Sequence, residues 1–339
     1  MARNRIIPIF VPHLGCPHQC VFCNQRRIAG VGTSLRPCDV SAAIAAGLQR
    51  SGGGAEVAFY GGSFTAIPSS QQEALLGAVQ PFLDDGRVSA IRLSTRPDAI
   101  NGETLERLRR FRVQTVELGS QSTSDAVLAL CGRGHTSEDT VQAAGLLRAA
   151  EFHVVLQMMT GLPGSSPACD LETARRLIGL KPDGVRIYPT VVVRDTPLFD
   201  RYEAGQYRPQ TVEEAAILCA KLYRMFTAEG IPVLRMGLQP TETLSRGGAV
   251  AGPYHPAFGE LVKSRILYEN ACQLLDRTDG ADVTLLVRKD KISAMAGQKR
   301  SNLEALRRRY PEKRLKVAAG PCGEWEILLQ SVKKPDKIT

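Results

Sequence analysis

The sequence predicts an α/β fold, a full or partial (β/α) barrel of TIM type followed by a small C-terminal α+β appendage. Three observations predict it. Short β-rich runs alternate with helix-like stretches through most of the 339 residues. Several of these runs are apolar at consecutive positions, as strands are when helices cover both faces of a parallel sheet. Beyond Asp282 the rhythm changes to short strands around one helix. Repeated βα units with right-handed crossovers give either an open sheet or a barrel, and six or seven such units favour the barrel.

In chain order, the expected strands are Ile6–Val11, Glu56–Tyr60, Ala90–Ser94, Thr115–Leu118, Val154–Met158 and Val185–Tyr188, with a seventh at Ile231–Leu234. Helical periodicity lies between them near Val40–Gln49, Ser70–Phe82, Glu103–Arg110, Asp139–Ala150, Leu171–Leu180 and Thr211–Glu229. The stretch Gly247–Gly259, rich in Gly and Pro, reads as loop. The appendage reads as strands Val283–Val287 and Ile292–Ala296, helix Asn302–Tyr310, and strands Leu315–Ala318 and Glu324–Leu328. This divides the chain into a barrel over 1–240, a loop-helix extension packing on it over 241–281, and the appendage over 282–339.

An apolar content of 43% excludes disorder, and the mixed usage excludes low-complexity architecture. The net charge of +9 is unevenly spread. Residues 282–339 hold 14 Lys/Arg against 7 Asp/Glu, a net +7, which leaves +2 for the first 281 residues. That asymmetry fits an acidic partner, nucleic acid being the commonest, or else a solvated basic surface. No window approaches the ~18 apolar residues of a membrane span, and residues 1–5 lack a signal-peptide core. Nine cysteines without a secretion signal imply reduced thiols in the cytoplasm, and the odd count points away from disulfides and toward metal.

The first strand leads into Gly15-Cys16-Pro17-His18-Gln19-Cys20-Val21-Phe22-Cys23-Asn24, a C-x3-C-x2-C motif. Three close thiolates suit a soft metal centre. They are one ligand short of a closed zinc site and of a filled four-iron cubane, so one coordination position stays open. Zinc completed by His13 or His18 is the alternative on spacing. The three cysteines, with aromatic Phe22 before the third, resemble the signature of the radical SAM superfamily. The resemblance implies that Cys16, Cys20 and Cys23 hold a [4Fe–4S] cluster whose fourth iron is chelated by S-adenosylmethionine (SAM). Reductive cleavage of SAM, fed by an external electron donor, then gives a 5′-deoxyadenosyl radical that abstracts hydrogen from the substrate. The cofactors carry the radical chemistry, and the protein supplies position and protection.

Further motifs stand at the C-terminal ends of the later strands, where barrel active sites are built. They are Gly61-Gly62-Ser63-Phe64-Thr65, Ser94-Thr95-Arg96-Pro97-Asp98, Glu117-Leu118-Gly119-Ser120-Gln121-Ser122, Gln157-Met158-Met159-Thr160-Gly161-Leu162-Pro163-Gly164 and Tyr188-Pro189-Thr190. With Arg133-Gly134-His135-Thr136 and Gly205-Gln206-Tyr207, the set is similar to the radical SAM region of the Elongator catalytic subunit family, over residues ~5–240. That family modifies the wobble uridine of tRNA. The likeness does not extend to the family's acetyltransferase-type domain or its basic N-terminal extension. Oxygen-independent coproporphyrinogen oxidases share parts of the pattern, so a radical SAM enzyme acting on a tetrapyrrole is the second reading. A non-catalytic metal-bearing RNA-binding protein is the third.

By resemblance, Gly61, Gly62 and Ser63 meet the methionine part of SAM. Glu117, Gln121, Arg133 and Gln157 are candidates for its carboxylate, ribose or adenine, an arginine being suited to bidentate pairing with a carboxylate. Tyr188 is the candidate for hydrogen relay, with packing as its alternative. His135 reads as a helix-start hydrogen-bonding residue and Tyr254-His255-Pro256 as a loop turn. Cys38, Cys131, Cys169, Cys219, Cys272 and Cys322 lack ligand spacing and read as small hydrophobes. In the appendage Arg307, Arg308, Arg309, Lys313, Arg314 and Lys316 are the expected RNA phosphate contacts, with only Tyr310 and Trp325 as nearby rings.

Overall fold

The computed structural model describes residues 5–11, 16, 18–24, 35–51, 54–242 and 244–331. The first part of the chain alternates strand and helix: β1 Ile6–Val11, α1 Pro37–Ser51, β2 Ala55–Gly61, α2 Ser69–Gly77, α3 Gln80–Asp84, β3 Val88–Thr95, α4 Gly102–Arg110 and β4 Val113–Gln121. It continues with α5 Asp125–Leu130, α6 Ser137–Ala149, β5 His153–Thr160, α7 Pro167–Gly179, β6 Gly184–Pro189, β7 Val192–Val193, α8 Pro197–Glu203, α9 Val212–Ala228, β8 Val233–Met236 and β9 Ala249–Ala251.

Strands β1, β2, β3, β4, β5, β6 and β8 form one seven-stranded sheet in that order, each pair parallel. The sheet curls into a half-barrel with β1 and β8 at its edges, a partial TIM-type barrel as the sequence predicts. The apolar runs explain it: Val57, Ala58 and Phe59 in β2 are all fully buried, so both faces of that strand are covered. The helices start where the sequence supplies caps. Asn101 accepts from the Thr104 amide at 2.9 Å, and Thr136 with Asp139 and Thr211 with Glu214 form capping boxes.

The described chain falls into two compact units, one within 1–215 and 222–256, the other within 216–221 and 257–339. The second unit contains α10 Phe258–Leu275, β10 Asp282–Val287, α11 Ile292–Ala296, α12 Ser301–Arg309, β11 Arg314–Ala319 and β12 Leu328–Ser331. Its sheet has the order β11-β10-β12, β10 parallel to β11 and antiparallel to β12. Residues 257–281, expected with the barrel, belong here. Leu267, Ala271, Cys272 and Leu275 of α10 share a core with Val283, Leu285 and Val287, because this small sheet needs a helix to cover its apolar face.

Three local expectations are corrected. Residues 292–296 are helix and not strand, since Ile-Ser-Ala-Met-Ala alternates in polarity over too few positions for periodicity to decide. The last strand begins at Leu328 and not at Glu324. The stretch 247–259 is not all loop: β9 pairs antiparallel with β7, and α10 begins at Phe258. No helix among the described residues is long and apolar enough to cross a membrane.

Candidate active site

The loop after β1 carries the cysteine motif and is held in place by backbone. The Cys23 amide donates to the Cys20 carbonyl at 3.0 Å, closing a turn, and the Val21 amide donates to the Cys131 carbonyl at 3.0 Å. The Val21 carbonyl accepts from the Leu198 amide at 2.8 Å. Val21 is buried with Val127, Cys131 and Leu162, and Phe22 packs against that cluster. Hydrophobic residues between the second and third cysteines therefore anchor the loop, while Cys16, Cys20 and Cys23 form no disulfide among the described residues.

Cys16, Cys20 and Cys23 line one cavity of about 980 Å³, and so do Gly61, Gly62, Ser63, Glu117, Gln121, Arg133, Gln157 and Tyr188. All the residues singled out for cofactor or catalysis thus face a common space inside the half-barrel. The donor set fits a [4Fe–4S] cluster: three soft thiols, each able to take a separate iron. Among the described residues no three His, Cys, Asp or Glu side chains converge on a single-ion site. His13 lies outside the described residues, and His18 packs against Gly134, where an added Cβ would stand 2.2 Å from the imidazole.

Arg133 ties the thiols to the SAM-type motifs. Its Nη1 donates to Cys20 Sγ at 3.4 Å and its Nη2 to the Gly119 carbonyl at 2.7 Å. The guanidinium is buried, and its Nε has no hydrogen-bond partner among the described residues. Cys16 Sγ lies 3.8 Å from the Ser63 hydroxyl. Gly61 has φ +104, a conformation side chains rarely adopt, which lets the chain after β2 turn directly along the cavity. Gln121 sits where the β4–β5 register shifts, and Gln157 Nε2 donates to its Oε1 at 3.4 Å.

Glu117, at the cavity wall, is also tied into a network of side chains in the half-barrel. Its Oε1 accepts from Tyr60 Oη at 3.1 Å, from Arg92 Nη1 at 2.9 Å and from Arg186 Nη2 at 2.9 Å, while Oε2 lies 2.8 Å from Arg186 Nε. Three donors thus converge on Oε1, and Glu117 fixes the lumen arginines beside the cavity. Arg92 also pairs with Glu56 at 2.9 Å. Burial alone would lower the pKa of Arg186, but Glu117 and the neighbouring phenols outweigh it and hold the guanidinium charged. Burial, then Glu117, pushes the Tyr60 phenol well above its ordinary value. Arg186 Nη1 lies 3.5 Å from Tyr188 Oη. Sequence reasoning missed Glu56, Tyr60, Arg92, Arg186 and Arg235. For the four charged ones the available signal was a charge within an otherwise apolar strand; Tyr60 gave none.

His135 is buried, and its Nε2 lies 3.3 Å from the Ser120 carbonyl. Burial, then the nearby Arg133 and Arg96, lowers its pKa to about 4, so the ring is neutral and braces the loop. Burial with the neighbouring Cys20 pushes the Cys131 thiol up to about 12. Tyr254 packs beside Val191, Val193 and Leu244.

The profile of the radical SAM superfamily matches residues 10–177, and that of the Radical_SAM C-terminal domain matches 182–267. The chain belongs to the radical SAM superfamily. Radical SAM enzymes use a [4Fe–4S] cluster and SAM, the cofactors whose motifs line this cavity. A tRNA uridine(34) acetyltransferase of Methanocaldococcus jannaschii is 35% identical over 132 residues, 38% of this chain and 24% of that protein. Elongator complex protein 3 of Schizosaccharomyces pombe is 27% identical over 187 residues, 49% of this chain and 34% of that protein. The solved structure of Methanocaldococcus infernus Elp3 with an N-terminal deletion superposes with TM-score 0.62 at 23% identity, over 78% of this chain and 63% of that one. The matched part spans about a quarter to a third of these two curated relatives.

In the second unit the six basic residues of the expected RNA patch divide. Arg309 pairs with Asp276, Arg314 with Asp282, and Lys313 is largely buried against the Thr278 carbonyl. Arg307 and Arg308 are exposed, as is Lys316. Tyr310 is buried, and Lys291 stands over the Trp325 ring.

Proposed function

We propose that this radical SAM enzyme modifies a nucleoside of tRNA, with a uridine as the target and the cytoplasm as its place of work. The observation that carries the reading is the single cavity shared by the three thiols, the Gly-Gly-Ser turn, Arg133 and Tyr188. Similarity to tRNA uridine(34) acetyltransferases and to Elongator proteins supports the substrate class.

Cys16, Cys20 and Cys23 would hold the cluster, and Arg133 would balance its negative charge through Cys20. Gly61, Gly62 and Ser63 would bring backbone close to the amino-acid end of SAM, and Gln121 with Gln157 would take its polar groups. When bound, the reduced cluster supplies the electron that cleaves SAM to a hydrogen-abstracting radical. Phe10, Met159, Val191 and Leu238 give the cavity apolar wall that excludes water from the reacting centre. Arg186, fixed by Glu117, orients the Tyr188 hydroxyl at the cavity surface, where Tyr188 would contact substrate or relay hydrogen. An external electron donor completes the reaction. Arg307, Arg308 and Lys316 would meet RNA phosphates.

Comparing tRNA nucleosides by mass spectrometry from cells with and without the gene tests the substrate. A modified uridine should vanish on deletion. Anaerobic reconstitution with iron and sulfide, then reductant and SAM, should release 5′-deoxyadenosine. Binding of zinc alone would overturn the enzyme reading.

A further inference from the structure

The second unit contains a β-α-α-β arrangement that the barrel chemistry does not use. β10 leads into α11, α12 follows, and β11 returns parallel to β10 as an edge strand. Only four residues, 297–300, join the two helices, and three of them are left-handed: Gly297 with φ +80, Lys299 with +51 and Arg300 with +66. A Cβ on Gly297 would come within 2.6 Å of Ser301 Oγ and 2.7 Å of the Asn302 amide, so the turn closes only on glycine. Its base is pinned, because Asn302 Nδ2 donates to the Ser264 carbonyl at 3.0 Å and to Ser264 Oγ at 2.9 Å.

The tip faces solvent, with Gln298, Lys299 and Arg300 all exposed. Among the described residues neither Lys299 nor Arg300 has a carboxylate partner, whereas Arg288, Lys291, Arg309 and Arg314 are each paired. Two successive left-handed positions would be relaxed by glycine. The chain places long cations there instead, on a turn held rigid from below, within a segment of net charge +7. The two helices that the turn joins both pack on β11, which leaves an edge with half-buried Val317 and Ala318 and exposed Lys316.

We propose that the 297–300 turn clamps the backbone of single-stranded RNA, with Lys299 and Arg300 on neighbouring phosphates and the bases toward the β11 edge. KH-type modules use a short loop in this way to hold four nucleotides of backbone. The compactness of the turn selects a single strand, since modules that read duplex RNA by shape span about 16 base pairs. The inference deepens the RNA reading above and is independent of the radical chemistry.

The test is fluorescence anisotropy of a labelled 12-nucleotide single-stranded RNA and of a matched duplex, titrated with the full chain at several salt concentrations. The variants are Lys299→Asp/Arg300→Asp and Lys299→Gly/Arg300→Gly. Both should weaken single-strand binding tenfold or more, and the salt slope should become shallower by about 0.7 per lost contact. The glycine pair relieves the backbone and should melt no lower than wild type, so its loss of binding cannot come from unfolding. Unchanged single-strand binding in both variants, or duplex bound as tightly as single strand, would overturn the inference. Release of 5′-deoxyadenosine from SAM without RNA reads the barrel separately and should be unchanged. If SAM is cleaved while RNA binding ignores the turn, this inference alone fails. If RNA binding needs the turn but wild type never cleaves SAM, the enzyme reading alone fails.

Discussion

Single residues in the cavity divide into those that would meet the cofactors and those that hold the first group in place. Replacing Cys16, Cys20 or Cys23 with Ala should leave the reconstituted protein without a full iron complement, measured as iron and sulfide per chain. Glu117 acts as counter-ion, so Glu117→Gln leaves two largely buried arginines short of charge. Loss of one partner from a buried pair costs about 3 to 5 kcal/mol, and urea unfolding should show a drop of that order. His135 links stability to pH. Its folded pKa, lowered to about 4 from an ordinary 6.5, means the unfolded chain binds a proton that the folded chain refuses. Its contribution is therefore full above 6.5 and is lost as pH falls from 6.5 toward about 4. The loss amounts to about 3 kcal/mol. Arg133 and Arg96 reinforce the low pKa while Asp98 opposes it. In His135→Gln, denaturation curves between pH 7 and 4 should lose that component of the acid sensitivity.

At the scale of elements, the cysteine loop depends on the segment after α5. Gly134 has φ +74 and lies under the His18 ring, while a Cβ added at Gly132 would stand 3.3 Å from the Gln19 carbonyl. Gly134→Ala should strain the backbone and displace His18, costing about 1 to 3 kcal/mol. Cluster loading should fall with it, read as iron per chain beside a melting curve. The elements themselves were largely legible, because parallel strands under helices write continuous apolar runs such as Val57–Phe59 in β2. Where the pattern was five residues long, as at Ile292–Ala296, polarity alone favoured a strand, whereas the core around Met295 selected a helix. The pairing of β7 with β9 was invisible, since Val192–Val193 and Ala249–Ala251 meet only through a fold that brings distant segments together.

For the whole molecule, charge and chemistry lie in different stretches of sequence. With +7 carried by residues 282–339, binding of tRNA to the intact chain should weaken at least about tenfold between 50 and 200 mM salt. Affinity independent of salt would refute a phosphate-based contact. The sequence by itself determined the repeating βα architecture, the three thiols and the superfamily they signal, because spacing and hydrophobic period are local properties. It also marked the Gly-rich strand ends that the half-barrel gathers around one cavity. Tertiary structure alone decided that Glu117 neutralises Arg92 and Arg186, that Arg133 bonds to Cys20, and that half of the basic patch is already paired. Each of those outcomes depends on which charges burial brings within hydrogen-bond reach, and β4 with β6, or residue 20 with residue 133, become neighbours only when the sheet curls.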